Sequence, residues 1–187
     1  MSCVTAGPNN IFVGTPNGTV HLLDQTFKPA RSWRAHDASV THVKQVPDTS
    51  YLLTLSEDLS HEPELKVWSL EQTEKKSGQP KSLSSIIVQN GRKNFPVTGF
   101  TVTSDLAQLA VGFANGAVTV VRGDFVHDRG TKQRTVFESE EPITGLEFRE
   151  ANSTSLYIAT LRTSGRLRSL VRRKGHPLAL WTSTVVQ

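Results

Sequence analysis

The residues of this 187-residue chain best suited to chemistry are six histidines, a scatter of carboxylates and one cysteine. His21, His36, His42, His61, His127 and His176 show no metal-ligand spacing with Cys3 or with one another. His61-Glu62 has no second histidine four positions after the first, so the zinc-protease helix motif fails. A single cysteine excludes an internal disulfide and any zinc cluster built on several thiolates, which leaves Cys3 as a small strand residue. Carboxylates gather in "SEDLSHEPE" (Ser56 to Glu64) and in "ESEEP" (Glu138, Glu140, Glu141). Paired acids do general acid-base work when their surroundings push their pKa values apart, but polar stretches between strands would leave these solvated. No Gly-rich phosphate cradle follows a strand and opens a helix. No nucleophile, base and orienting group stand at a recognisable spacing. The expectation is a non-enzymatic chain with no cofactor and no metal, in which His36 hydrogen-bonds within its own structural unit.

Charge points the same way. The net charge is +4, yet residues 1–150 hold fifteen Lys and Arg against seventeen Asp and Glu, a net of −2. The excess sits in Arg162, Arg166, Arg168, Arg172, Arg173 and Lys174, which meet no acidic residue. Basicity therefore belongs to residues 162–187, read as a divergent and disordered tail, rather than to a nucleic-acid-binding domain over 1–161. No apolar run approaches the about 20 residues of a membrane helix. The first residues, "MSCVTAGPNN", lack a basic segment followed by an apolar one, so a cytoplasmic chain is expected.

What must position these groups is a repeated element. "VGTPNGTVHLL" from Val13 and "VGFANGAVTVV" from Val111 share Val-Gly, Asn-Gly and a resumed apolar alternation. Asn17-Gly18 and Asn115-Gly116 are strong hairpin signals, since both residue types tolerate positive φ. Gly14 and Gly112, late in the first strand of each hairpin, allow close packing or a bulge. Further strands read at "SVTHVKQV" (Ser39 to Val46), "PVTGFTV" (Pro96 to Val102) and "PITGLEF" (Pro142 to Phe148). Aligning Val40, Val97 and Ile143 makes the unit comparable to the about 40–45 residues of a four-stranded propeller blade. "EQTEKKSGQPKSL" reads as a surface insertion, and His36 with Trp68 gives a weak echo of a WD-type repeat that lacks the Trp-Asp pair.

The fold class expected is therefore all-β, a partial WD40-like β-propeller over residues 1–161. It has one partial blade at about 1–30, full blades at 31–90 and 91–137, and a fourth that begins at Glu138 and has no strand alternation after Arg162. Since closed propellers have about 4–8 blades, the chain reads as part of a larger propeller. The stretch "RGDFVHDRGTKQRT" reads as a loop in which Arg122, Asp124, Asp128, Arg129, Lys132 and Arg134 are candidate partner contacts or a salt-bridged connector between blades.

The run "QLAVGFANGAVTVVRGDFVHDRGTKQRTVFESEEPITGLEFRE" (Gln108 to Glu150), with "LSEDLSHEPELKVWSLEQTEKKSG" and "RAHDASVTHVKQV", resembles the N-terminal propeller of a known family. It is the vacuolar protein sorting-associated protein eleven family, class C core subunits of the HOPS and CORVET tethering complexes, in its fungal form. The resemblance implies a protein-interaction scaffold in endosome-to-vacuole tethering and fusion, peripheral on endosome and vacuole membranes. Its implied partners are the other class C subunits, with a small GTPase or the membrane surface as further candidates and no nucleic acid. The solenoid and RING domain of the family lie outside this sequence. A competing reading is a WD-type adaptor that contacts nucleic acid or anionic membrane through the basic tail.

Overall fold

The computed structural model describes residues 1–8, 10–58, 60–90, 95–150, 154–160, 166–171 and 179–184. It is built of four antiparallel sheets of four strands each, ordered along the chain. The first holds β1 (Cys3–Ala6), β2 (Ile11–Gly14), β3 (Thr19–Leu23) and β4 (Pro29–Arg34), and the second β5 (Ser39–Gln45), β6 (Tyr51–Glu57), β7 (Glu64–Thr73) and β8 (Pro80–Ile87). The third holds β9 (Val97–Val102), β10 (Gln108–Phe113), β11 (Val118–Asp124) and β12 (Arg129–Phe137). The fourth holds β13 (Ile143–Glu150), β14 (Thr154–Thr160), β15 (Arg166–Val171) and β16 (Ala179–Thr184). Each sheet is an up-and-down meander in which strands consecutive in the chain are paired neighbours.

The chain separates into two compact units: residues 1–89 with 123–131, and residues 90–122 with 132–187. A core of Phe12, Val20, Trp33, Ala35, Val40, Val43, Leu52 and Trp68 fills the first. There the Trp33 and Trp68 rings meet edge to face, with centroids 6.0 Å apart at 64°, a favoured aromatic geometry. Ala110, Val118, Val120, Phe137, Ile143, Leu156 and Ile158 fill the core of the second.

The alignment of Val40, Val97 and Ile143 is structurally sound. Each is followed by a β-bulge at which a threonine is skipped in the pairing. Val40 faces Ser56 and His42 faces Leu55, leaving out Thr41. Val97 faces Phe113 and Gly99 faces Gly112, leaving out Thr98. Ile143 faces Thr160 and Gly145 faces Ala159, leaving out Thr144. An extra residue at the same point of the first strand of three sheets adds local twist there.

Four expectations change. The first sheet is complete, because Pro29–Arg34 pairs with β3 through His21↔Ser32 and its neighbours and so does not open the second unit. "EQTEKKSGQPKSL" is not a surface loop: β7 runs on to Thr73 and β8 starts at Pro80, so it is a hairpin turn between long strands. "RGDFVHDRGTKQRT" is likewise mostly strand, with only Phe125–Asp128 between β11 and β12. Finally, β15 and β16 fall where no strand alternation is expected, and they pair onto β14 through Ile158↔Arg168 and onto each other. In the first three the strand that is not expected, β4, β8 or β12, is the last of its sheet and carries polar residues, so backbone pairing rather than an apolar pattern fixes its conformation.

Candidate interaction surface

His36 is committed to a buried hydrogen-bond network. His36 is 2% exposed and lies between two partners, Glu64 Oε2 at 2.9 Å from Nδ1 and Thr54 Oγ1 at 2.7 Å from Nε2. Trp68 Nε1 donates to the same Thr54 oxygen at 2.9 Å. One proton arrangement satisfies the set: Nδ1–H donates to the carboxylate, and Nε2 accepts from the Thr54 hydroxyl, which in turn accepts from Trp68. Burial holds the His36 pKa below its ordinary value despite the hydrogen bond to Glu64. Burial pushes Glu64 up, but hydrogen bonds from Ser85 and His36 and the Lys66 charge outweigh it and hold the carboxyl low. The pair is therefore neutral imidazole against carboxylate at neutral pH. With Ser85 at 2.6 Å and Lys66 Nζ at 3.3 Å, Glu64 ties β5's lead-in to β7 and β8. The expectation that His36 bonds within its own unit agrees with this geometry.

Two further histidines sit in exposed pairs three residues from an aspartate, His61 with Asp58 at 2.8 Å and His127 with Asp124 at 2.7 Å. The imidazole hydrogen bond holds each aspartate below its usual pKa. Among the described residues, no group of three or more His, Cys, Asp or Glu is placed to hold a metal ion. Cys3 is half-buried, its Sγ 3.4 Å from the Val40 carbonyl, and burial raises its pKa, so it is a poor nucleophile.

The turn residues show why the phrase is written twice. Gly18 and Gly116 both have φ 83. A Cβ on Gly18 would stand 2.0 Å from the His36 carbonyl oxygen, and one on Gly116 would stand 2.1 Å from that of Ser139. Each glycine thus lets its turn rest on the backbone that leads into the next sheet; the Gly18 carbonyl also accepts from Ala35 N at 2.8 Å and His36 N at 3.0 Å. Gly14 and Gly112 repeat the relation one strand earlier, where an added Cβ would meet Val40 Cγ1 at 2.7 Å and Ile143 Cγ2 at 2.5 Å. Asn17 and Asn115 depart from expectation, because only the glycine of each pair is left-handed. The asparagines act through their side chains: Asn17 Oδ1 accepts from Thr19 N and Asn115 Oδ1 from Ala117 N, both at 3.3 Å, a local turn bond.

The Arg122–Arg134 stretch forms the hairpin of β11 and β12. Arg122 is half-buried on β11, while Asp124, Asp128, Arg129, Lys132 and Arg134 are exposed, and β12 is exposed on both faces from Arg129 to Arg134. Phe125, fully buried, anchors the turn. Asp124 takes the His127 backbone N–H at 3.0 Å as well as its ring. Among the described residues no ion pair joins Arg129, Lys132 or Arg134 to Asp124 or Asp128. Three cations line the outermost strand of the sheet.

The family model described as "PEP5/VPS11 N-terminal" matches residues 1–178. A vacuolar protein sorting-associated protein 11 homolog of Dictyostelium discoideum is 32% identical over 150 residues, which is 79% of this chain and 15% of that protein. The Homo sapiens homolog is 29% identical over 157 residues, covering 83% of this chain and 16% of its own length. A Pep5-like zinc finger protein of Schizosaccharomyces pombe is 28% identical, covering 95% of this chain and 22% of its length. The chain thus spans about a fifth or less of these relatives. Among solved structures, the crystal structure of the Myceliophteria_thermophila Cps50 (Swd1) beta-propeller domain superposes with a TM-score of 0.72 at 17% identity, over 99% of this chain and 55% of that one. That likeness identifies the fold as a β-propeller.

Proposed function

The chain belongs to the PEP5/VPS11 N-terminal family, a vacuolar protein sorting family, and from that premise we propose that it acts as a non-enzymatic interaction scaffold in vesicle tethering and fusion between endosome and vacuole. The observation that carries the reading is the family match over residues 1–178 on a β-propeller fold in which buried His36, Thr54 and Trp68 bond one another across strands. Propellers present turns and outer strands to partners, and here the exposed side of the β11–β12 hairpin supplies Arg129, Lys132 and Arg134. Their charge suits an acidic surface on another subunit of a class C complex or on a small GTPase. The chain works in the cytoplasm, peripheral on endosome and vacuole membranes.

Affinity purification of the tagged chain at physiological salt, followed by mass spectrometry, tests the reading. Recovery of class C vacuolar sorting subunits supports it, and their loss from the Arg129→Glu, Lys132→Glu, Arg134→Glu variant places the contact on β12. Recovery of chaperones alone overturns the scaffold role. Recovery of ribonucleoproteins replaces it with the nucleic-acid adaptor.

A further inference from the structure

We propose that the turn between β3 and β4, together with the neighbouring turn between β7 and β8, is a membrane-contacting tip that seats the Phe27 ring among anionic lipid headgroups. In the second and third sheets the left-handed residue of this turn is Gly78 (φ 65) or Asp128 (φ 53), types that visit that region readily. In the first sheet it is Phe27, at φ 60. Phe27 and Gly78 hold the same position. Each stands one residue before the carbonyl that closes its turn, Lys28 O accepting from Asp24 N at 3.0 Å and Gln79 O from Glu74 N at 2.9 Å. A bulky residue with positive φ is an outlier, and Phe27 is 70% exposed, so its own fold returns little for the strain. The turn is nevertheless fixed. Asp24 Oδ1 accepts from Thr26 N and Thr26 Oγ1 at 2.7 Å each and from Lys28 N at 3.0 Å. An aromatic side chain held outward at such cost is placed for a contact outside the chain.

The surroundings define that contact. The Arg31 guanidinium, near the start of β4, donates to the Gly78 carbonyl and so links the first strand after one turn to the other turn. Lys28 adjoins Phe27, and Lys75 and Lys76 lie at the far end of the second turn, all three exposed. Of the acidic groups nearby, Asp24 is occupied by the turn, Glu74 accepts from Ser77 at 3.1 Å, and Glu71 is farther down β7. Aromatic rings sit well at headgroup depth, and each nearby cation adds attraction to an anionic leaflet. A convex tip with one protruding ring would need a shaped pocket in a protein, whereas a fluid headgroup layer admits it as it is. The inference deepens the scaffold reading by giving one part of the first unit a lipid ligand, and its test separates the two.

The experiment is co-sedimentation of the 187-residue chain with vesicles of phosphatidylcholine, with and without about 30% phosphatidylserine. We expect binding to the anionic vesicles only, weakening with salt. Phe27→Gly should cut the bound fraction at least about fivefold while the unfolding temperature holds or rises, because glycine suits the left-handed turn. Lys75→Glu with Lys76→Glu should cut it similarly. Equal binding to both vesicles, or undiminished binding by Phe27→Gly, overturns the proposal. So does a Phe27→Gly variant that loses a protein partner when neither form sediments with vesicles. A chain that recovers no class C subunit yet sediments with anionic vesicles overturns the scaffold reading and upholds this one.

Discussion

Gly18 and Gly78 separate two costs that a sequence cannot distinguish. Both have left-handed φ, but an added Cβ at Gly78 meets nothing within 4 Å, whereas at Gly18 it meets a backbone carbonyl that cannot move aside. Gly78→Ala should lose only the backbone term, about 1 kcal/mol, while Gly18→Ala and Gly116→Ala should each lose about 3 kcal/mol. In thermal unfolding a kcal/mol is about 2–4 °C for a chain of this size, so the two classes should separate cleanly. Thr54 is a second test, because one hydroxyl serves both His36 and Trp68. Thr54→Val conserves shape and strands both partners, which should cost about 2–3 kcal/mol in chemical denaturation. The same network predicts a pH dependence. With its folded pKa depressed, His36 binds a proton more readily in the unfolded chain, so stability is full above the unfolded histidine pKa and falls as pH drops below it. Glu64, also depressed, adds a loss at lower pH still. The unfolding temperature should decline between neutral pH and about pH 5, and His36→Gln should flatten the upper part of that decline. The Asn-Gly pairs and the role of His36 are legible in the sequence because turn chemistry and a buried polar residue leave local marks. That asparagine acts by side-chain bond rather than by left-handed backbone leaves none.

At the scale of elements, legibility follows burial. β10 and β11 carry apolar runs, and the sequence reading locates both through the Asn115-Gly116 hairpin. The reading misses β4, β8 and β12 as strands, since "PARSWR", "PKSLSSII" and "RGTKQRTVF" mix charge and turn formers. What holds them is a paired neighbour, which is a relation between distant residues and is absent from any local window. The bulge is the opposite case. Val40-Thr41, Val97-Thr98 and Ile143-Thr144 repeat in sequence and in pairing register. Deleting Thr98 should therefore not shorten a loop harmlessly. Without the bulge, either Val97 or the run from Gly99 to Val102 must pair one position out of step, and side chains that now face the core would turn away from it. Val97 and Val102 are both buried, so we expect loss of the cooperative near-ultraviolet signal and a tendency to aggregate. A deletion variant that melts within about 2 °C of the parent would show that the bulge does not set the register.

For the molecule as a whole, the question is whether residues 162–187 belong to the fold or hang from it. Composition alone argues for separation, since the acidic residues stop and the basic ones cluster. Backbone pairing argues the reverse. β14 hydrogen-bonds β13 on one side and β15 on the other, through Ser155↔Val171 to Ala159↔Leu167, and β16 then covers β15 from Arg166↔Thr184 to Val171↔Ala179. A chain ending at Leu161 would turn β14 into an open edge with seven consecutive residues available for pairing to another copy. Leu156 and Ile158, both buried in the second core, lie on that strand, so the exposed edge would sit next to apolar side chains. The truncated chain should unfold at least about 4 °C lower, roughly 1–2 kcal/mol, and should form sedimentable aggregate at concentrations where the full chain stays dispersed. Equal melting and equal dispersal would make 162–187 a separate segment, as its charge suggests. The charge pattern and the strand pairing answer to different physics, one to solvation and the other to backbone hydrogen bonds. Where they disagree, an unpaired strand carries the larger penalty.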